Sequence, residues 1–265
     1  MKVQILSDLH NEFHRARNVR VPDIEDAGAD LIILAGDIDV GLAGVHWAIE
    51  QSERLHRPLV YVCGNHEFYG ECPKELLTSM RAVAQGTRVH VLENEAVGVD
   101  GVRVLGATLW TDFRALGRYR ENECMRAAVL NIADFRLIRF HNPDGTHTHL
   151  QPINAASWHA TSLTWLTQEL AKPFNGRTVV VTHHGPSIQC HDYLIYGGPD
   201  PISVSFWSRI ERLLTSERVT LWVYGHTHSN LRFEENGVPV VCNQRGYLEA
   251  PAIAEKFDPV FTVDV

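Results

Sequence analysis

Residues 2–10 read KVQILSDLH, a mostly apolar strand that runs straight into Ser7, Asp8, Leu9 and His10. The same grammar recurs four times. Residues 30–35 (DLIILA) lead into Gly36-Asp37, and 59–62 (LVYV) lead through Cys63 into Gly64-Asn65-His66-Glu67. Residues 178–182 (TVVVT) lead into His183-His184-Gly185-Pro186, and 219–224 (VTLWVY) lead into Gly225-His226-Thr227-His228. Short apolar runs of this kind suit strands buried on both faces. Between the early strands, Val45, Ala48, Ile49 and Leu55 have helical spacing over 44–55, which Pro58 ends, and Pro73 opens a second helix over 73–84. Strand, helix, strand, helix is the pattern of an α/β fold. Its right-handed crossovers keep the carboxyl ends of the strands on one edge, where ligands bind in such folds.

The middle of the chain changes character. Residues 88–92, 96–99 and 102–106, with Asp100-Gly101 as a turn, predict an antiparallel meander. Helices are expected near 121–131 and over 157–171, with a loop, HNPDGTHTH, at 141–149. A hairpin around Asn236-Gly237 joins 231–234 to 238–242. With no internal repeat, low-complexity tract or long linker, residues 1–265 read as one domain carrying a lid-like insertion at about 112–150.

Composition narrows the function classes. The formal net charge of −8 disfavours nucleic acid as a general partner, and a nuclease with it. The five cysteines (63, 72, 124, 190 and 242) form no close pair, which points to free thiols in a reducing compartment. The first ten residues do not make a signal peptide, and no apolar run reaches the length of a membrane span. A cytoplasmic protein with no membrane partner is expected. The 15 histidines are the anomaly, and their positions matter more than their number.

Five strand ends carry metal-competent side chains: Asp8 and His10, Asp37, Asn65 with His66, His183, and His226 with His228. Taken singly each is weak, since Gly-Asp is often only a turn and a histidine at a strand end is often structural. Five in order are a different matter. Both Asp8/His10 and His226/His228 are i, i+2 pairs, which point the same way on an extended chain. Oxygen and imidazole donors without thiolate suit manganese, iron, zinc or similar divalent ions, and one aspartate can bridge two of them. His184, next to His183, would face away. Glu67 reads either as a partner that orients a ligand or His66, or as an exposed or capping residue.

As a set, DLH at 8–10, GD at 36–37, GNHE at 64–67, HH at 183–184 and GHTH at 225–228 resemble the five motifs of the calcineurin-like metallophosphoesterase superfamily. The resemblance implies a four-layer α/β/β/α sandwich with a dinuclear metal site at the carboxyl ends of the strands. It implies one metal on Asp8, His10, Asp37 and His228, and another on Asp37, Asn65, His183 and His226, with Asp37 bridging. His66 would be catalytic, touching the phosphate and protonating the leaving group, while a hydroxide shared by the metals attacks. Two departures narrow the class. Gly41 stands where the protein Ser/Thr phosphatases carry an arginine, and Val40 stands where the purple acid phosphatases carry a tyrosine ligand. The bacterial-type phosphodiesterases and small-molecule phosphohydrolases remain.

A phosphodiesterase acting on a small phosphoester is therefore expected, with a phosphomonoesterase as the alternative. A non-catalytic scaffold is disfavoured because His66 and every ligand are present. Asn11, His14, Tyr69, His191, Tyr196 and Arg245 lie near motifs and are candidate substrate contacts. The insertion holds Arg114, Arg118, Arg120, Arg126, Arg136 and Arg139, which either read the substrate's charges from a lid or sit on a solvated surface. His147 and His149, as HTH, could bind a stray metal, but an exposed loop is the stronger reading.

Overall fold

A computed structural model describes residues 1–142, 144–247 and 257–265, with the side chains of Ile195 and Tyr196 also outside the described set. In chain order the main elements are β1 (Lys2–Leu6), α1 (Asn11–Ala16), β2 (Leu31–Ala35), α2 (Ala43–Leu55), β3 (Leu59–Val62), α3 (Pro73–Ala84) and β4 (Val89–Leu92). There follow β5 (Glu95–Val99), β6 (Val102–Ala107), α4 (Glu121–Asn131), α5 (Asp134–Leu137), β7 (Arg139–His141), β8 (His147–His149), α6 (Pro152–Ala171) and β9 (Arg177–Thr182). The chain closes with β10 (Leu221–Val223), β11 (Phe233–Glu235), β12 (Val238–Val241) and β13 (Thr262–Asp264).

The strands make two main sheets. One runs β13-β1-β2-β3-β4 and is parallel except for β13, which pairs antiparallel with β1. The other runs β11-β12-β10-β9-β6-β5, parallel in its centre with an antiparallel hairpin at each edge. Side-chain alternation then builds the layers. Val3, Ile5, Leu31, Ile33, Val60 and Val62 of the first sheet share a buried core with Val104, Val179, Val181, Leu221 and Val223 of the second. The opposite faces, including Ile32, Leu34 and Tyr61 or Leu105, Val180 and Trp222, belong to the outer core with residues of α2, α3 and α6. The result is the α/β/β/α sandwich. Each fully buried aliphatic side chain contributes roughly 1.5–3 kcal/mol of transfer free energy.

The flanking helices follow local rules. Val45, Ala48 and Ser52 form the buried stripe of α2, and Leu76, Met80 and Ala84 that of α3. α6 begins at Pro152, five residues before the expected start, because Pro152 fits its first turn and Asn154 Oδ1 accepts from the Gln151 N–H at 3.0 Å.

The expected meander is divided between the sheets. β4 extends the first sheet beside β3, with Leu59 opposite Val89 and Val62 opposite Leu92. The chain turns at Asn94, whose φ is 54°, and enters the second sheet as the β5–β6 hairpin. Alternating short strands fit either arrangement, so the pattern alone does not choose. The expected loop at 141–149 overlaps the β7–β8 hairpin, which pairs Arg139 with His149 and His141 with His147.

The two sheets are also joined at their carboxyl edge. Ser7 forms an isolated parallel bridge with Gln244, the Arg245 N–H donates to Ser7 O at 3.1 Å, and the Gly246 N–H donates to Asp8 O at 3.0 Å. The segment after β12 thus crosses to the carboxyl end of β1 and closes the seam between the sheets.

Candidate active site

The chain does not stay extended where β1 ends. Asp8, His10, Asp37, His226 and His228 all adopt left-handed conformations, with φ of 50, 45, 54, 70 and 50°. The two i, i+2 pairs therefore behave differently: Asp8 and His10 still converge, but His226 and His228 part. His228 joins Asp8 and His10, whereas His226 joins Asp37 and His183. Such backbone is sparsely populated outside glycine and persists where its surroundings fix it. Here the loops after β1 and β2 are zipped together. Asp8 N donates to Gly36 O, His10 N to Asp37 O and Asn11 N to Ile38 O, each at 2.9 Å. Gly64 permits the closest approach: a Cβ there would press on the Asp37 carboxylate and lie 2.6 Å from Asp37 N.

Glu67 is fully buried beneath this turn. Its Oε2 accepts from Asp37 N at 3.0 Å and Gly64 N at 2.7 Å, and its Oε1 accepts from Ile38 N at 2.7 Å and the Tyr61 hydroxyl at 2.8 Å. Burial, with the Asp37 charge added, pushes its carboxyl up to about 7. Glu67 is thus neither exposed nor a helix cap. It clasps the backbone that presents Asp37.

Above the turn, Asp8, His10, Asp37 and His228 each place a donor atom within 4.8 Å of the others, as do Asp37, His183 and His226. His10 Nε2 and His228 Nε2 are 3.0 Å apart, and His228 Nε2 is 3.2 Å from Asp8 Oδ1. His183 Nε2 is 3.4 Å from Asp37 Oδ1 and 3.1 Å from Asn65 Oδ1. Asp37 is common to both groups. Outer contacts aim the donors. His183 turns Nδ1 to Ala35 O at 2.9 Å, and His10 turns Nδ1 to Glu12 Oε1 at 3.1 Å. The Asn65 amide nitrogen donates to Asp134 Oδ1 at 2.8 Å, which leaves its carbonyl oxygen facing His183.

This arrangement fits divalent cations on its own evidence. His226 Nε2 is buried with no hydrogen-bond partner, an orphan that a metal would satisfy. Burial alone would raise the Asp37 carboxyl, yet His183 and His66 hold it well below the usual range. Burial likewise opposes charge on His183, but Asp37 lifts that imidazole to about 10. Without cations, protons on histidine balance the buried carboxylates.

His66 sits at the edge of the donor cluster. Its Nδ1 is 2.9 Å from Glu12 Oε1, its Nε2 is 3.9 Å from Asp37 Oδ2 and 3.4 Å from the Tyr247 hydroxyl, and its ring lies 4.3 Å from that of Tyr69. Burial works against its charge, but Asp37 and Glu12 raise it to about 9. Glu12 therefore bridges His10 and His66. Burial would raise the Glu12 carboxyl, but those two hydrogen bonds bring it to about 2. His184 turns Nδ1 to Thr108 O at 3.1 Å, and burial together with His183 pushes it well below the usual histidine range. It packs 4.3 Å from the His226 ring and joins neither donor group.

A cavity of about 520 Å³ opens over the cluster. Tyr69 and His191 line it, whereas Asn11, His14 and Arg245 do not, and the Tyr196 side chain falls outside the described residues. Arg245 donates to Asn11 Oδ1 at 3.0 Å instead. The insertion faces the cavity with Asn131, Ile132, Ala133 and Asp134 but with none of its arginines, two of which pair on the surface with Glu121 and Glu123. Across the cavity stand Ile202, Phe206 and Trp207. No arginine or lysine lines it among the described residues. Glu12, Asp134 and Tyr247 are the site residues that sequence reasoning missed. Only Glu12 had a local signal, two positions beyond His10.

Residues 1–230 match the calcineurin-like phosphoesterase family, and the chain belongs to it. Members are metal-dependent hydrolases of phosphoesters, and this chain is a hydrolase of that class. It is 23% identical over 224 residues to an uncharacterised protein of Acanthamoeba polyphaga mimivirus, covering 80% of this chain and 75% of that one. Among solved structures, the phosphopantetheinyl hydrolase of Mycobacterium tuberculosis superposes with a TM-score of 0.68 at 19% identity, over 93% of this chain and 89% of that one. At that identity the likeness is one of fold. No helix among the described residues is long and apolar enough to cross a membrane, and all five cysteines are free.

Proposed function

We propose that the protein is a phosphodiesterase acting on a small substrate with two divalent cations of the manganese, iron or zinc type. Asp8, His10, Asp37 and His228 would hold one, and Asp37, Asn65, His183 and His226 the other. When bound, such a pair supplies the positive charge that grips a phosphate and makes water a nucleophile at neutral pH. The chain's own residues do the rest. His66, with the Glu12 carboxylate beside it to favour its charge, would present the Nε2 proton to the departing alkoxide oxygen, a role worth typically about 10²–10⁴-fold. Glu12 holds Nδ1 so that Nε2 faces the cavity. The residues Asn131–Asp134 of the insertion wall the cleft, within what we read as a single domain spanning 1–265.

The observation that carries the diester reading is the charge of the cleft. A monoester brings close to two negative charges and a diester one. No arginine or lysine lines the cavity among the described residues, whereas Asp134, Asp192 and Asp200 do. A second phosphate charge would have no partner there, and the apolar wall suits an uncharged second ester group. The test compares kcat/KM for bis-p-nitrophenyl phosphate and p-nitrophenyl phosphate at one pH and one added metal, manganese first. The diester is expected to be preferred, and an about tenfold preference for the monoester, 1.4 kcal/mol in the barrier, overturns the reading. Among natural diesters, a phosphopantetheinyl conjugate is a sensible first trial, since its neutral arm matches the wall.

A further inference from the structure

A second group of donors lies apart from the cleft, where α3 meets the β7–β8 hairpin. Residues 69–71 run beside 137–139: Tyr69 bridges Ile138, Gly70 N donates to Leu137 O at 2.8 Å, and Arg139 N donates to Glu71 O at 2.9 Å. This pairing sets Cys72, at the start of α3, against the hairpin. Cys72 Sγ, a Glu75 carboxylate oxygen and a His141 ring nitrogen all lie within 4.8 Å of one another. His141 Nδ1 is 2.7 Å from Glu75 Oε1, and the His147 ring stands perpendicular to the His141 ring with centroids 4.0 Å apart. Sulfur, carboxylate oxygen and imidazole nitrogen converge on one point, with a second imidazole beside them.

An exposed His–Glu pair by itself is weak and common. The thiol makes the difference. Cys72 is 8% exposed, and its thiol donates a long hydrogen bond, 3.6 Å, to Arg139 O. It sits at the N-terminus of a 12-residue helix, where backbone N–H groups favour a thiolate. Burial and the Glu75 charge push the thiol up instead.

We propose that Cys72, Glu75 and His141 form a separate cation site of thiolate character, with His147 as a fourth donor, suited to zinc or a similar borderline divalent ion. A tetrahedral zinc needs donors about 2.0–2.3 Å from the ion, so the three close by about an ångström on binding. The exposed Glu75 side chain and the two-stranded hairpin supply that movement. The ion joins α3 to the hairpin and so pins the part of the insertion that follows Asp134. Binding to the folded form alone raises stability by mass action. The site is independent of the catalytic reading, because no sulfur belongs to either catalytic donor group.

Cobalt separates the two sites. The full metal-free chain is titrated with Co²⁺ and followed in the near ultraviolet, where a sulfur-to-cobalt charge-transfer band appears only when thiolate is a ligand. The wild type is expected to develop this band until one thiolate-bound ion per chain is reached, beyond whatever cobalt the cleft takes up. Asp37→Asn should keep the band and Cys72→Ser should lose it. His141→Ala, on the exposed hairpin, should weaken the cobalt affinity read from the band by more than about tenfold, 1.4 kcal/mol. Zinc should displace the band and raise the melting temperature of Asp37→Asn. No band in the wild type, or a band that survives Cys72→Ser or is indifferent to His141→Ala, overturns the proposal.

Discussion

At the floor of the cleft, Asp8, His10, Asp37, Asn65 and His183 are at most 3% exposed; Glu12 aims His10, Asp134 aims Asn65 and the Ala35 carbonyl aims His183. On its wall, Ile132, Ile202 and Phe206 are partly exposed, and they come from segments between strands. The floor is built on the carboxyl ends of parallel strands and the wall on connections. The contrast separates two duties. On the proposed reading, the desolvated polar groups would carry the chemistry common to phosphoesters, and the partly exposed apolar wall the choice among them. Floor changes should therefore strike every substrate alike, and wall changes should discriminate.

The largest effect is expected at Asp37, which belongs to both donor groups. Asp37→Asn should remove measurable turnover of any ester and lower metal content by inductively coupled plasma analysis. A variant that still bound two ions in the cleft would refute the bridging role. His66→Asn comes next. It should keep the metals and lose about 10²–10⁴-fold in kcat for poor leaving groups, and far less for p-nitrophenolate, which needs little protonation. An equal loss for both would remove the proton-donor role. One step further out, Glu12→Gln and Asp134→Asn should weaken metal affinity or activity by roughly 10–100-fold, the usual range for groups that orient a ligand. Glu12→Gln should also blunt the leaving-group dependence, because Glu12 touches His66, whereas Asp134→Asn should not. The smallest effect is expected on the wall. Phe206→Ala should raise KM for a bulky diester by about tenfold or less and barely alter a small one, and a uniform fall in kcat would erase the distinction between floor and wall.

The floor was legible in the sequence because each of its residues follows a buried strand at once, and parallel topology gathers strand ends. The layers were legible for the same reason. The rest depends on contacts between distant positions. Glu12 reaches His66 across 54 residues, Asp134 reaches Asn65 across 69, and Tyr247 reaches His66 across 181. No local pattern marks Asp134 or Tyr247, and Glu12 offers only its place two positions beyond His10. Arg245 was a candidate because it lies near a motif, yet it donates to Asn11 Oδ1 and does not line the cavity, whereas Tyr247, two residues on, does. The i, i+2 argument reached the convergence of Asp8 and His10 through strand geometry, whereas the chain achieves it with left-handed turns. Apolar alternation likewise could not assign β4 to one sheet and β5 to the other, because both sheets ask for the same residues.

Those left-handed turns limit how the site can vary. Apart from glycine, the residues that tolerate such backbone best are asparagine, aspartate and histidine. These are also good oxygen and nitrogen donors for hard and borderline cations. At positions 8, 10, 37, 226 and 228 the alphabet of the backbone and the alphabet of coordination coincide. Exchanges within it, such as Asp8→Asn or His228→Asn, leave the turn at ease and alter only charge or donor type. Exchanges outside it, to leucine or valine, strain the turn and remove the donor together. On the proposed ligand set, drift at these five positions is therefore channelled: the substitutions that the fold tolerates would be those that retune the metals, so this scaffold could change its ion preference without first losing its shape.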